Sequence, residues 1–356
     1  MIQQRFDRRL TLPPEKAQEI LTLIGEIDEC KGYWRAFTQL SPQFLNQLKK
    51  TVIVSSSGAS TRIEGSHLSD DEVEELLKTA NIRRLVTRDE QEVAGYLELI
   101  QEVFTAWEGI RFSENTIKHF HQILLAYSDK DDRHKGVYKF GSNRVEALDE
   151  DGKVIGIVFD PTPPHLVPKE MQELVEWTDT ALIDKRFHPL LTIANFIFEF
   201  LAIHPFQDGN GRCSRILTNL LLLQNGYSFV PYVSHEKIIE ENKTEYYLAL
   251  KKSTSSWKTE QEDISPWILF FFKALRSQGL KARELTLKED PGLFLSANQE
   301  AVWKLFQEEK ELSRKAISEK SGIGLKTVEK ITKKLVEMKK IQKLGAGRGT
   351  RYRLVS

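Results

Sequence analysis

"HPFQDGNGRCSR", residues 204–215, packs a histidine, an aspartate, two glycines around an asparagine and two arginines between two apolar runs, LTIANFIFEFLAI and RCSRILTNLLLL. Runs of this kind predict buried helices, so the motif is a loop joining two core helices. Gly209, Asn210 and Gly211 tolerate positive φ and let backbone approach a ligand closely. They lead into a helix N-terminus, whose N–H groups and dipole attract anions. Arg212 and Arg215 are expected in its first turn, where basic side chains are unfavourable without an anion. Asp208 beside such a cradle suits Mg²⁺, which takes one or two carboxylates plus phosphate oxygens. His204, ending the preceding helix, can accept a proton near neutral pH. Together these parts specify transfer of a phosphorus group from a nucleotide to a hydroxyl. They do not say which group. The other common nucleotide signature, G-x-x-x-x-G-K-[ST], is absent, as is the zinc motif H-E-x-x-H.

Outward from this loop, most of the chain carries helical periodicity. SDDEVEELLKTA opens with Ser69 and has Glu72 three residues on, which predicts a capping box. SENTIKHFHQILLAY opens at Ser113 in the same way, and VPKEMQELVEWTDTAL has apolar positions at helical spacing. One segment departs from the pattern. RVEALDEDGKVIGIVFDPTPP (144–164) sets Asp151-Gly152 between two strand-like runs, which predicts a β-hairpin ended by Pro161, Pro163 and Pro164. A lone hairpin is marginal by itself, so it is packed decoration or a functional flap.

With 356 residues the chain is long enough for two or three domains, and its 51 basic and 51 acidic residues balance. The distribution is uneven. Residues 291–356 hold 15 Lys+Arg against 7 Asp+Glu, a net of +8, so residues 1–290 carry −8. The basic tail reads as three helices followed by two strands with a glycine-rich tip, an arrangement that resembles a winged helix-turn-helix module. Its third helix carries Lys326, Lys330, Lys333 and Lys334, and its tip Arg348, Arg351 and Arg353, which could reach DNA phosphates. A protein-docking role fits the same scaffold. Two distant cysteines, Cys30 and Cys213, exclude a disulfide framework and suit a reducing compartment. No secretory leader is visible in MIQQRFDRRLTLPP, and the most apolar runs are too short or interrupted to span a bilayer. A cytoplasmic protein with no membrane association is expected.

The 204–215 stretch satisfies every defined position of HPFx[DE]GNGRxxR, and the chain resembles the Fic (Fic/Doc, Fido-domain) family over much of 33–275. The resemblance implies a mainly α fold: a Fic helical bundle with a β-hairpin flap, followed here by the winged-helix module. The implied organisation is a 1–110 helical region, a 111–290 catalytic domain and a 291–356 winged-helix domain. The implied reaction is AMP transfer from ATP, with Mg²⁺, to a Ser, Thr or Tyr hydroxyl of a target protein or of the chain itself. By the family's pattern His204 deprotonates the hydroxyl and Asp208 holds Mg²⁺. Gly209, Asn210 and Gly211 form the anion hole, and Arg212 and Arg215 hold the phosphate tail. Phe206 packs under the loop. Val158 and Phe159 on the flap position an extended target segment by strand addition. Tyr246, ahead of Tyr247, lies on the adenine side. A homodimer accords with the resemblance.

A second motif lies upstream. Ser60-x-x-x-Glu64-Gly65 resembles the inhibitory [ST]-x-x-x-E-[GN] of autoinhibited family members. Gly65 can end a helix in the left-handed conformation, leaving Glu64 in a last turn whose dipole disfavours a carboxylate. Arg215 is the partner the family supplies, and a bidentate pair there would block the γ-phosphate. Two other readings stay open: a DNA-binding regulator whose Fic-like domain senses nucleotide, and an enzyme removing AMP with Glu64 positioning water.

Overall fold

The computed structural model describes residues 2–36, 42–79, 85–128, 132–143, 145–148, 154–287, 297–337, 341–345 and 349–355, the strands at 145–148 and 154–158 by their backbone. Contacts divide the chain into two compact units, Met1–Leu40 with Leu45–Thr286, and Ser41–Phe44 with Leu287–Ser356. Helices dominate the first: α1 (Ile2–Arg9), α2 (Pro14–Ala36), α3 (Pro42–Ile63), α4 (Asp70–Thr79), α5 (Arg88–Ala106) and α6 (Glu114–Leu124) precede the hairpin β1 (Val145–Leu148) and β2 (Val154–Phe159). Then follow α7 (Val167–Ile183), α8 (Pro189–Ile203), α9 (Asn210–Gln224), α10 (His235–Glu241), α11 (Lys243–Thr254) and α12 (Ser265–Leu287).

Local chemistry sets the helix starts. Ser69 N–H donates to Glu72 Oε2 (2.8 Å) and Glu72 N–H to Ser69 Oγ (3.4 Å), the reciprocal pair of a capping box. Thr87 and Glu90 form another at α5, and Ser113 Oγ caps α6 by accepting from Thr116 N–H (3.2 Å). α8 is mostly apolar and buried from Leu190 to Ile203 apart from Leu191, so it forms the axis of the bundle. α9, buried from Arg212 to Leu223, packs beside it. One apolar core runs from Phe6 through α8 and α9 to Ala282. β1 and β2 pair antiparallel, from Val145 opposite Phe159 to Leu148 opposite Val154. Their connecting turn, with Asp151-Gly152, lies outside the described residues. Among the described residues no helix is long and apolar enough to cross a membrane.

The second unit has its own core of Val302, Phe306, Leu312, Ile317, Val328, Ile331, Leu335, Ile341 and Tyr352. Its elements are α13 (Ala297–Glu308), β3 (Glu311–Ser313), α14 (Arg314–Ser321), α15 (Leu325–Glu337), β4 (Ile341–Leu344) and β5 (Arg351–Leu354). The sheet order is β3-β5-β4, antiparallel throughout. Sequence reading anticipates two strands. The third, β3, has only three residues, too few for an alternating pattern to register.

Candidate active site

The loop between α8 and α9 turns on two left-handed residues. His204 caps α8 at φ 53, ψ 61, and Gly209 begins α9 at φ 77. The loop closes on itself through Asn210. Its Oδ1 accepts from Phe206 N–H (2.8 Å) while its Nδ2–H donates to Phe206 C=O (2.8 Å). The Asn210 side chain is therefore a structural clasp, and only its backbone N–H is left to face an anion. Phe206, fully buried, lies under the loop stacked on His121, with ring centroids 3.8 Å apart and planes 3° from parallel. His121 Nδ1 accepts from Gly136 N–H (3.0 Å), which assigns the proton to Nε2, and Nε2–H donates to Asp208 C=O (3.0 Å).

The His204 ring is half-buried, and its Nδ1 lies 3.3 Å from Leu201 C=O. A carbonyl only accepts, so Nδ1 carries the hydrogen and Nε2 keeps its lone pair. Burial, and next the Lys139 ammonium, lower the imidazole pKa to about 4, against weaker raising influences from Glu64 and Asp208. A neutral ring with a free Nε2 lone pair is the form a general base needs.

Asp208 Oδ1 accepts from Gly209 N–H (2.6 Å), and Oδ2 lies 2.8 Å from Arg88 Nη2 and 3.2 Å from Arg212 Nη2. Burial opposes the Asp208 charge, yet Arg212, the Gly209 N–H and Arg88 hold its pKa below the usual range. Among the described residues no group of three or more His, Cys, Asp or Glu could hold a metal ion. A cation caged by protein alone does not fit. Mg²⁺ held by one ionised carboxylate together with phosphate oxygens and water does fit Asp208, whose side chain keeps 36% of its surface exposed and whose pKa is held low.

Above Asp208 lies the head of α9. No side chain caps it, and Gly211 leaves open backbone over its first turn. A Cβ on Gly211 would collide with Glu64 Oε1 and stand 3.2 Å from Arg215 Nη1. The Glu64 carboxylate thus sits over the α9 N-terminus. Its Oε1 accepts from Arg215 Nη2–H at 2.8 Å. Arg215 lies in the second turn of α9, a correction to its expected place in the first. It also donates from Nε to Ser60 Oγ (2.8 Å) and from Nη2 to Ser60 C=O (2.9 Å), so it caps the end of α3. That end is a Schellman turn: Ser66 N–H reaches Thr61 C=O (3.1 Å), Gly65 N–H reaches Arg62 C=O (3.1 Å), and Gly65 takes φ 100. Burial works against the Arg215 charge, but Glu64 together with Tyr246 and Tyr96 raises its pKa on balance.

Arg215 and Arg212 are both almost wholly buried, and neither is fully satisfied. Arg215 Nη1, Arg212 Nε and Arg212 Nη1 have no hydrogen-bond acceptor. Arg212 Nη1 is 3.2 Å from Glu92 Oε2, close enough for ionic attraction but outside hydrogen-bonding geometry. Buried unpaired guanidinium donors are costly, and an anion at the head of α9 would satisfy them.

The remaining predicted residues lie farther out. Phe159 is partly buried against the main core. Val158 lies on β2, and its side chain is outside the described residues. Tyr246 is buried, edge-on to Trp267 and Phe270, while Tyr247 is the more accessible of the pair. Several contributors to the site carry no sequence signal: Arg88 and Glu92 from α5, His121 from α6, and Lys139 and Asn143 from the loop after it. They reach the site by topology, and single residues in amphipathic stretches look like any solvated or core position.

A two-helix core, a glycine turn between its halves and a histidine at the bend make up the site. Residues 111–222 match the Fic/DOC family. A probable protein adenylyltransferase of Aquifex aeolicus (strain VF5) is 37% identical over 86 residues, which is 24% of this chain and 26% of that relative. The protein adenylyltransferase fic-1 of Caenorhabditis elegans is 33% identical over 95 residues, 26% of this chain and 17% of that relative. The match thus spans about a quarter or less of these curated relatives. A Fic family protein from Desulfovibrio desulfuricans G20 superposes with a TM-score of 0.63 at 25% identity, covering 97% of each chain. A Fic domain-containing signaling protein of Bacteroides thetaiotaomicron VPI-5482 gives 0.61 at 20% identity, covering 74% of this chain and 99% of that one, a likeness of fold. The chain carries a Fic domain.

Proposed function

We propose that this protein transfers AMP from ATP to a Ser, Thr or Tyr hydroxyl of a protein, and that Glu64 restrains the reaction in the state described. The observation that carries this reading is the convergence of orphaned, buried Arg212 and Arg215 donors on the uncapped head of α9, over which the Glu64 carboxylate lies. An anion is wanted there, and the chain's own carboxylate partly supplies it. The relatives named protein adenylyltransferases support the choice of AMP.

In this mechanism the target hydroxyl gives its proton to His204 Nε2 as its oxygen attacks the α-phosphorus. The bond to the bridging oxygen breaks and pyrophosphate leaves. The Gly211 and Arg212 N–H groups and both guanidiniums hold the phosphate oxygens, where fixed donors stabilise developing charge. Asp208 would hold Mg²⁺, which neutralises charge on the phosphates when bound. Val158 and Phe159 on β2 would align the target segment, and Tyr246 with Tyr247 would border the adenine. With Glu64 paired to Arg215, the phosphate tail cannot reach its guanidinium. The two buried free cysteines suit a reducing compartment such as the cytoplasm.

The test is mass spectrometry after incubation with Mg-ATP. Glu64→Gly should add AMP to itself or to a lysate protein well above wild type. His204→Ala in that background should lose roughly 10²–10⁴-fold. No adduct from Glu64→Gly overturns AMP transfer, and equal transfer by wild type and Glu64→Gly removes the restraint. If wild type instead strips AMP from a modified protein, the reverse activity is the function.

We read the second unit as a winged helix-turn-helix that contacts nucleic-acid phosphates. Support comes from α15, whose buried face is Val328, Ile331, Thr332 and Leu335 and whose exposed face carries Lys326, Lys330, Lys333 and Lys334. Arg351 and Arg353 are less available, since Glu311 pairs with both at 3.7 and 3.0 Å. Arg348 lies outside the described residues.

A further inference from the structure

His204 holds a backbone conformation that a residue with a Cβ rarely adopts, φ 53 and ψ 61. Such a residue costs about 1–3 kcal/mol and persists only where its surroundings over-determine it. Helices more often end this way on glycine. The Asn210 clasp on Phe206 supplies part of this, and Lys139 contacts the backbone on both sides of the histidine. Lys139 N–H donates to Pro205 C=O (2.8 Å), the carbonyl just after the histidine. Its Nζ donates to Ile203 C=O (3.2 Å), the carbonyl just before it. Nζ also donates to Asn143 Oδ1 (2.7 Å), and Asn143 Nδ2–H continues to Phe206 C=O (3.0 Å).

We infer that Lys139 is a positioning residue for the catalytic base: by gripping the carbonyls on both sides of His204 it locks the left-handed bend that presents the imidazole. The inference rests on the reading of His204 as the base. Lys139 is 4% exposed, and among the described residues no carboxylate pairs with it within 4.0 Å. A buried ammonium hydrogen-bonded only to neutral oxygens, with Glu170 attracting it from farther off, is expensive to keep, so plain structural filling would be served better by an apolar side chain. At the C-terminal end of α8 its charge also complements the helix dipole.

The same charge acts on the ring. The titratable groups bearing on His204 come from three elements: Lys139 from the loop after α6, Glu64 from the end of α3 and Asp208 from its own loop. Lys139 alone disfavours the imidazolium, and the two carboxylates favour it. Replacing Lys139 by a neutral residue therefore leaves the carboxylates unopposed and makes the ring easier to protonate.

The experiment uses the full chain with Glu64→Gly, to which Lys139→Met, Lys139→Gln or Lys139→Arg is added. Two quantities are read: kcat against KM for ATP, and the NMR titration midpoint of the His204 ring, assigned by its loss in His204→Ala. Lys139→Met should lower kcat at least tenfold with KM for ATP within twofold, and raise the midpoint by about one pH unit. Lys139→Arg, which keeps the charge, should hold the midpoint low and recover most of kcat. Should Lys139→Met fail to fold by circular dichroism, Lys139→Gln carries the same expected midpoint change. An unmoved midpoint in a folded neutral variant, or unchanged kcat, overturns the inference. The titration does not depend on turnover, so a failure of AMP transfer itself would appear separately, as inactive Glu64→Gly with the midpoint change intact.

Discussion

At Gly211 a missing side chain decides what can occupy the head of α9. Glu64 Oε1 stands where its Cβ would be, and Arg215 Nη1 lies beside that point. In the proposed reading the Glu64 carboxylate and a phosphate both need this space, so Gly211→Ala would exclude both. The expected result is distinctive. Gly211→Ala should expel Glu64 without activating the protein, because the added methyl also covers the N–H groups that hold phosphate. Adding Glu64→Gly should not rescue it. Calorimetry with ATP should find affinity for Glu64→Gly/Gly211→Ala at least tenfold weaker than for Glu64→Gly, a loss of about 1.4 kcal/mol or more. If Gly211→Ala alone activates as strongly as Glu64→Gly, the methyl merely displaces Glu64 and the cradle lies elsewhere. Asn210 teaches a related lesson. It stands within the same motif, yet its amide is spent on Phe206 backbone, so a residue in a functional signature can be there for the loop's geometry alone.

Among the elements, α15 divides most clearly into two faces, with its lysines exposed and its aliphatic residues in the second unit's core. Phosphate contacts of that kind make affinity depend on salt. In gel shifts of the full chain with duplex DNA, Lys330→Glu/Lys334→Glu should weaken binding at least tenfold and flatten its salt dependence. No wild-type binding even at low salt would instead favour protein docking. Elements of this kind were legible in the sequence because they rest on local rules: the apolar runs of α8 and α9, the Ser69–Glu72 box, the β-branched run of β2. The loop chemistry was legible too, since its residues are contiguous. Interactions between distant elements were not. Glu199 sits within α8 like an interloper in an apolar run, and only the fold brings Arg5 and Arg9 of α1, with Trp257, to its carboxylate. Lys139 and Arg88 reach the site in the same way, across dozens of residues. Periodicity records which face of a helix is buried, but not which buried polar group meets which.

Over the molecule as a whole the formal charges cancel, 51 against 51, yet the buried ones set how stability responds to acid. His204 and His235 both have pKa values lowered to about 4, chiefly by burial. The unfolded chain protonates histidine near pH 6.5. A folded pKa below the unfolded one means that stability from these rings is complete above about pH 6.5 and drains away as pH falls toward 4. Glu199 titrates elsewhere. Burial opposes its charge, but Arg9 and Arg5 lower its pKa to about 2, so its contribution is complete above its ordinary pKa of 4.5 and is lost only below that. The two windows therefore separate. Thermal melts of the full chain, followed by fluorescence of buried Trp177 and Trp267, should show Tm falling on the order of 10 °C between pH 7 and pH 4.5. His235 is the cleaner probe of the pair, because it lies outside the proposed reaction path, edge-on to Phe271 with its Nδ1 unpaired. His235→Gln cannot charge at any pH, so it should remove about half of that fall while costing some stability at pH 7. Glu199→Gln should lower Tm at every pH yet leave the slope between pH 6.5 and 4.5 unchanged. A slope in His235→Gln equal to that of wild type would mean the buried ring accepts its proton in the folded state, and that acid destabilises this protein by another route.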